Sequence, residues 1–245
     1  MRWKLVVGNV VAVVLVGLLA WMMVRGAAAT ALAVDVDPSV DRAGRLLTAV
    51  HTQDGDTLLT AVQDAAGRQP LADVYAADSE SAQREAAFSF AEGLSHQLAS
   101  LARRGRPAEL VAVLTADGTV IARNLERHQD AGRHLGAEFP SVAAALQPPA
   151  GHPLRDYIRY GEQGWLEIAV VPVMSGSTLR GGLIVGFALA DSAAHNDSDE
   201  IGVGVGFLLR EGDRYNVQSL SVGQQLEKEQ LRAWINAPST NVKPQ

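Results

Sequence analysis

Arginine and aromatic side chains are concentrated between residues 154 and 165, in the stretch LRDYIRYGEQGW. A guanidinium group presents a planar fork of donors that matches a carboxylate, so an arginine beside a tyrosine is suited to hold a small carboxylate ligand. In an extended chain, alternation places Arg155, Tyr157 and Arg159 on one face and the even-numbered residues on the other. The alternative is that these are exposed strand residues whose arginines cover aromatic surface.

Three further polar residues, His128, Asp130 and His134, have the side-chain types that a divalent metal prefers. No other anchors accompany them, so the sequence favours solvated loop residues and predicts no metal site. Catalytic signatures are absent as well, since the chain has no G-x-S-x-G elbow, no H-E-x-x-H and no P-loop. The sequence therefore predicts neither an enzyme nor a cofactor.

Composition restricts the classes of partner. The chain has 245 residues, which suits one good-sized domain with a helical appendage. It has no cysteine, so neither a disulfide framework nor thiolate chemistry is available. The formal net charge is −6, and an acidic protein repels phosphate backbones, so we expect no nucleic-acid partner.

The N-terminal segment LVVGNVVAVVLVGLLAWMMV, residues 5–24, has no charged side chain. As a helix it would span about 30 Å, the thickness of the hydrocarbon core. Arg2 and Lys4 precede it, which keeps the short N-terminal end in the cytoplasm and places the remainder outside. The sequence thus predicts a single-pass anchor in the bacterial inner membrane. A signal peptide cleaved after Ala33 and a buried core helix are the alternatives, but the run is longer than the apolar part of most signal peptides.

Two amphipathic helices should follow the anchor. Apolar residues recur at three- and four-residue intervals from Ser39 to about residue 66, with an interruption predicted at 52–56. A second helix is predicted from Asp78 to Arg104, with Ser79 or Ser81 as its cap. Its apolar stripe packs in a core, or else part of it forms a dimer interface.

Beyond Pro107 the period changes to that of strands. Asp117-Gly118 joins two β-branched runs in a predicted hairpin, and Glu138 to Leu146 reads as a short helix. Long strand patterns follow on both sides of residues 175–178, then a polar loop at 191–200, another strand pair and a helix from Gly223 to Ile235. The class is α+β, with about five antiparallel strands.

Taken in order, these segments resemble the extracytoplasmic Cache domain, the PAS-like sensor module of bacterial chemoreceptors, histidine kinases and cyclases. The similarity is carried by TADGTVIARN, by HLG after Asp130 and Gly132, by FPSVAAAL, and by WLEIAVVPVMSGSTLRGGLIVGFALAD. The aromatic-and-arginine motif with which some two-lobed members bind amino acids is not matched.

The resemblance implies a ligand pocket between the central sheet and the helix or loop that crosses it. It also implies which side chains would line that pocket. By analogy these are Arg123, Arg155, Tyr157, Arg159, Tyr160 and Trp165.

The predicted organisation has four parts. A cytoplasmic stub and anchor (residues 1–25) precede a membrane-proximal helical region (26–74), a Cache-like sensor domain (75–220) and a C-terminal helix with a tail (221–245). The predicted function is to bind a small molecule, with carboxylates as one candidate class, and to signal to a partner protein or an output domain. A second copy of the chain, forming a homodimer, is also among the predicted partners. The alternatives are a ligand-free interaction module of the cell envelope with the same fold, and a released binding protein.

Overall fold

The computed structural model describes residues 42–99, 107–125, 128–147, 151–201, 204–211, 214–221, 229–231 and 233. The chain divides into two compact units, residues 1–49 and 50–245. In the first, residues 42–49 are helical. Within the described ranges, no helix is both long enough and apolar enough to cross a membrane. The predicted membrane segment, residues 5–24, lies outside those ranges.

Three helices open the second unit: residues 50–66 (α1), Gln69–Ala76 (α2) and Glu80–Leu98 (α3). Ser79 caps α3, because its hydroxyl accepts a hydrogen bond of 3.2 Å from the amide of Ala82. The predicted start of this helix is confirmed, while its predicted end at Arg104 lies outside the described residues.

The predicted break at residues 52–56 is wrong, since α1 is helical through this stretch. Gly55 lowers helix propensity, but tertiary contacts override so small a cost. The guanidinium of Arg155 lies directly against Gly55: a Cβ added to the glycine would be 1.6 Å from Cζ of the arginine. The glycine that suggested a break therefore makes room for a side chain from the sheet.

The central sheet has five strands: β1 (Leu110–Thr115), β2 (Val120–Arg123), β3 (Leu154–Arg159), β4 (Trp165–Ser175) and β5 (Thr178–Ala188). Their order is β2-β1-β5-β4-β3, and every neighbouring pair is antiparallel. This confirms the predicted α+β class with an antiparallel sheet of about five strands.

The hairpin between β1 and β2 is held by a second loop. Gly118 has φ +86°, in the left-handed region that glycine adopts without strain. A Cβ added there would lie 2.9 Å from Cα and N of Gly136, and the amide of Gly136 donates to the carbonyl of Gly118 over 3.3 Å. Asp117-Gly118 and the HLG turn are thus packed backbone to backbone.

The helix predicted from Glu138 to Leu146 is instead two short helices, α4 (Leu135–Glu138) and α5 (Pro140–Ala145). Phe139 separates them in an extended conformation, with φ −123° and ψ 109°. The physical reason is Pro140, whose ring disfavours helical dihedrals in the preceding residue.

A helix, α6 (Asp191–Ile201), occupies the stretch predicted to be a polar loop. Its sequence has no apolar stripe, so the pattern gave no helical signal. Tertiary contacts hold it: Asp191 Oδ1 accepts from the amide of Leu220 at 3.0 Å, and Asp197 lies 2.7 Å from Nε2 of His51.

The predicted strand pair after the main sheet is confirmed as a small antiparallel sheet of β6 (Gly206–Glu211) and β7 (Arg214–Leu220). The helix predicted from Gly223 to Ile235 is described only at residues 229–231 and 233, which are helical.

The five-stranded sheet has a core on each face, because successive strand side chains point to opposite sides. Odd-numbered residues of β1, such as Val111 and Val113, pack with α1, α2 and α3. Even-numbered ones, such as Leu110 and Ala112, pack with α4 and α5.

Candidate functional site

The six residues predicted to line a pocket are divided between the two faces of the sheet. Tyr160 belongs to the core beneath α4 and α5, and Arg123 lies on the same side, with Cζ 5.3 Å from the centre of the Tyr160 ring. The other four lie on the face toward α1 to α3. These are Arg155, Tyr157, Arg159 and Trp165. Arg155 pairs across the strands with Ala169 of the core on that face, and Arg159 pairs with Trp165.

Arg123 is a buried cation. Its side chain is 2% exposed and forms an ion pair between Nη1 and Oδ2 of Asp130. Nη2 donates to the carbonyl of Glu109 at 3.4 Å. Nε is buried and has no hydrogen-bond partner among the residues described. A buried guanidinium that keeps one donor unsatisfied is uncommon and marks a place where a further acceptor would fit.

Asp130 is the anion at the centre of this group. Tyr160 donates from its hydroxyl to Oδ2 at 2.9 Å, and Arg133 donates from Nη1 to Oδ1 at 3.3 Å. Burial raises the pKa of Asp130, but the hydrogen bonds from Arg123 and Tyr160 and the charges of both arginines outweigh it, so the pKa is lowered. The carboxylate is therefore ionised and held by three donors.

The aromatic part of the group is built on Tyr160, which is buried. Its ring lies below Cζ of Arg133 at 4.6 Å and stacks on Phe139 at 6.2 Å between centroids. Burial raises the pKa of Tyr160 to about 12, so its hydroxyl stays protonated and acts as a donor. Arg133 also pairs with Glu138 through two hydrogen bonds of 2.8 and 2.6 Å, and this pairing raises the pKa of the arginine.

We call these residues the Arg123 cluster: Arg123, Asp130, Arg133, Glu138, Phe139 and Tyr160. Sequence reasoning selected Arg123 and Tyr160 and considered Asp130 only as a metal ligand; it missed Arg133, Glu138 and Phe139. A usable signal was the charge pattern of the loop, in which opposite charges at residues 130, 133 and 138 can pair once the loop folds back.

On the opposite face, Arg155 joins the sheet to α1. Its guanidinium donates to the carbonyls of His51 at 3.3 Å and Thr52 at 3.5 Å, and to Oε1 of the buried Glu167 at 3.2 Å. Tyr157 and Arg159 are exposed and Trp165 is half-buried. Nε of Arg155 is also buried without a hydrogen-bond partner among the described residues, while its other two nitrogens bond α1 to the sheet.

His128 and His134 lie in the loop that also carries Asp130. Across the described ranges, no group of three or more His, Asp or Glu side chains is placed to hold a metal ion. Asp130, the acidic residue of this loop, forms ion pairs with Arg123 and Arg133.

A cavity of about 350 Å³ opens elsewhere, where the end of α1 meets β4. Its walls are mainly apolar or backbone, and it contains none of the six predicted residues. The lining includes Gln63, Gly67, Gly151, Pro172 and Met174. The lining described for this cavity has no charged side chain.

Comparisons with known family models and with curated protein sequences give no match. Solved structures do match. The sensor domain of the histidine kinase DctB from V. cholerae superposes with a TM-score of 0.57 at 16% identity, covering 79% of this chain and 68% of that one. The ligand-binding domain of the Campylobacter jejuni chemoreceptor Tlp3, in complex with L-valine, gives 0.50 at 11% identity, covering 85% and 77%.

The extracellular domain of the histidine kinase vpHK1S-Z8 gives a TM-score of 0.50 at 11% identity, covering 82% of this chain and 74% of that domain. At such identities the similarity shows the fold. The chain therefore has the Cache-type fold of these sensor domains, as its resemblance to that family predicts.

Proposed function

We propose that this chain is a non-enzymatic sensor that binds a small molecule at the Arg123 cluster. The observation that carries the proposal is the convergence of Arg123, Arg133 and Tyr160 on one carboxylate, around a guanidinium whose side chain is 2% exposed. Pockets for small ligands combine apolar walls with a few convergent polar groups, and this cluster adjoins the apolar core beneath α4 and α5 through Tyr160 and Phe139.

The fold supports the same proposal. The structures that share it are sensor or ligand-binding domains of histidine kinases and a chemoreceptor, and one of them holds L-valine. An amino acid carries a carboxylate, the group that a guanidinium fork binds best. We therefore place carboxylates first among the candidate ligands of this chain.

For the whole chain we propose an extracytoplasmic domain on a membrane anchor. Residues 1–25 would form the stub and the single span of the bacterial inner membrane, and 26–74 the membrane-proximal helical region. Residues 75–220 would form the sensor. The preceding helices α1 and α2 pack on one face of its sheet. Residues 221–245 would form a C-terminal helix and tail. The signal would pass to a partner protein, to an output domain or across a homodimer.

The proposed mechanism is a ligand-biased shift between two packings of the sheet against its helices. Arg155 supports this idea, because its guanidinium bonds to two carbonyls of α1 and to Glu167 in β4. A movement of β3 and β4 caused on the ligand face would reach α1 through this contact.

Thermal denaturation of the full chain against a panel of mono- and dicarboxylic acids and amino acids tests the proposal. A ligand at 100 times its Kd stabilises the folded state by about 2.7 kcal/mol if it does not bind the unfolded chain. We expect at least one carboxylate to raise the Tm, and its neutral amide to leave the Tm unchanged. A panel that leaves the Tm unmoved throughout would remove the small-ligand proposal.

The ligand role of Arg155, Tyr157, Arg159 and Trp165 stays a prediction. Their variants belong in the same assay beside Y160F. If the ligand lies at the Arg123 cluster, R159A, W165F and Y160F should keep an affinity near that of the wild type, Y160F because its hydroxyl already bonds to Asp130 in the free protein. R123M, in contrast, should lower the affinity at least about tenfold through the loss of the guanidinium.

A ligand-free interaction module is the second candidate function, and one observation favours it: Asp130 already bonds to the guanidinium of Arg123. In that case the cluster would serve only to hold the loop. Sedimentation of the full chain in detergent, combined with the ligand panel, separates the two candidates. A stable oligomer with no ligand response would favour the module.

A further inference from the structure

We infer that Asp130 is a built-in occupant of a carboxylate site at Arg123, and that the ligand is a carboxylate that binds by displacing it. The inference rests on the proposed function, because it names the ligand class and the regulation of the same site.

The contacts of Asp130 are those that a bound carboxylate would receive. One oxygen accepts from the guanidinium of Arg123 and from the hydroxyl of Tyr160 at 2.9 Å. The other accepts from Arg133 at 3.3 Å. Charge-assisted donors of this kind, converging on two oxygens, are the usual means of binding a small carboxylate. The protein thus supplies both the receptor groups and the anion that fills them.

Two of the receptor groups, Arg123 and Tyr160, are buried, whereas Arg133 and the occupant Asp130 are partly exposed. The side chain of Arg123 is 2% exposed and that of Asp130 is 18% exposed. The backbone around Asp130 is fixed by other bonds, from the amide of Gly132 to the carbonyl of Val120 and from the amide of Val120 to the carbonyl of Arg133, both at 2.9 Å. A rotation of the Asp130 side chain can therefore vacate the site while the loop stays attached to β2.

When a carboxylate displaces Asp130, each arginine still has an anionic partner. Arg133 keeps its two hydrogen bonds to Glu138, at 2.8 and 2.6 Å. Arg123 loses its ion pair, which an incoming carboxylate replaces. Nε of Arg123 has no hydrogen-bond partner among the described residues while Asp130 fills the site. A free carboxylate can therefore accept one hydrogen bond more from Arg123 than Asp130 does.

The backbone at Asp130 also sets this residue apart. Its φ is +61°, the left-handed region, and it is the non-glycine residue with positive φ in the described part of the chain. Asp tolerates this conformation better than most residues, and Gly adopts it freely. D130G is accordingly a variant that removes the carboxylate without straining the loop.

The test uses D130G in the full chain, with acetate and formate as probes and acetamide as the neutral control of the same shape. We expect both anions to raise the Tm of D130G in a saturable way. The half-maximal acetate concentration should be at least about tenfold lower than in the wild type, because a tethered carboxylate competes at an effective concentration in the millimolar range or above. Acetamide should have no such effect.

Two further variants make the result specific. In D130G/R123M the acetate response should disappear, since the receptor cation is gone. In D130N, which keeps the shape of the side chain and tolerates the same φ, the response should lie between those of D130G and the wild type. If D130G and D130N respond to acetate no more strongly than the wild type, or if the response survives R123M, Asp130 is not the occupant of a carboxylate site.

The outcome separates this inference from the proposed function. A wild type that binds a carboxylate from the panel, with no tighter binding in D130G, would keep the sensor and overturn the role of Asp130. The opposite outcome is an acetate-induced rise in the Tm of D130G that depends on Arg123, while no acid of the panel changes the Tm of the wild type. That result would keep Asp130 as the occupant of the site and overturn the proposal that the chain is a sensor.

Discussion

At the scale of single residues, the ionised carboxylate of Asp130 makes stability depend on pH. Its folded-state pKa is lowered, so it contributes stability that is fully present above its unfolded pKa of about 4 and is lost as the pH falls through the folded value. Asp117 and Glu138 also have lowered pKa values, because of hydrogen bonds from Thr115 and Arg133 respectively. The contribution of Asp130 must therefore be isolated by substitution.

We predict that D130N is less stable than the wild type by about 1–3 kcal/mol at neutral pH, the usual cost of a lost hydrogen-bonded charge. The difference should shrink as the pH falls below about 4, where the wild-type carboxyl becomes protonated. Urea denaturation of both proteins across this range measures it. A difference that does not vary with pH would show that the charge of Asp130 does not stabilise the fold.

Gly118 allows a second prediction at this scale. In G118A the new methyl group meets the backbone of Gly136 at 2.9 Å in addition to the strain of φ +86°. Gly132 is the matched control, because it has φ +84° and no atom within 4 Å of an added Cβ. We expect G132A to cost about 1 kcal/mol and G118A about 2 kcal/mol or more by denaturant titration. Equal costs would mean that the two loops move apart without penalty.

Residue type and the resemblance to the Cache family together selected Arg123 and Tyr160 as candidate ligand groups. They could not show that the two meet across the sheet, since Tyr160 comes just after the edge strand β3 and Arg123 ends the opposite edge strand β2. Nor could they show that Asp130 fills the site, because its position depends on how the loop folds back.

At the scale of elements, helices and strands with a clear period were predictable and those without one were not. The hairpin at Asp117-Gly118 and the start of α3 at Ser79 follow from local turn and cap chemistry. The helix α6 was missed because its sequence has no apolar stripe, and it is held by contacts from distant residues, including His51 and Leu220. Local pattern carries no information about such contacts.

The glycine in α1 allows a prediction about how this helix is joined to the sheet. In G93A, where nothing lies within 4 Å of the added Cβ in α3, we expect the usual gain of about 0.5–1 kcal/mol for replacing a helical glycine. In G55A the methyl group would displace the guanidinium of Arg155, so that gain should be cancelled or reversed.

A double-mutant cycle by urea denaturation checks this account of α1. In the background R155A, G55A should stabilise by about as much as G93A does, since the obstructing side chain is absent. If G55A stabilises the wild type as strongly as it stabilises R155A, Arg155 does not fix α1 to the sheet.

At the scale of the whole molecule, the fold class was predictable because the order of segments resembles one family. The two-sided core explains why the predicted site was divided. The alternation of β3, continued into Tyr160, places Arg155 toward α1 and Tyr160 toward α4 and α5. Among the described residues, the second face holds the buried cation Arg123 with its charged neighbours.

The topology of the chain allows a further prediction. A reporter that is active only outside the cytoplasm, fused after residue 245, should be active, and deletion of residues 1–25 should abolish that activity. The reason is the uncharged stretch at residues 5–24, preceded by Arg2 and Lys4. Activity of a cytoplasm-specific reporter at the same position would contradict an extracytoplasmic domain.

The central claim is that a small carboxylate binds at the Arg123 cluster. Hydrogen–deuterium exchange of the full chain, with and without the carboxylate that raises the Tm most, tests it most directly, because exchange reports where backbone amides become protected. We predict slower exchange at residues 128–146, the loop with α4 and α5 that covers Arg123. Unchanged exchange at these residues, or protection confined to α1 and the cavity beside it, would contradict the account.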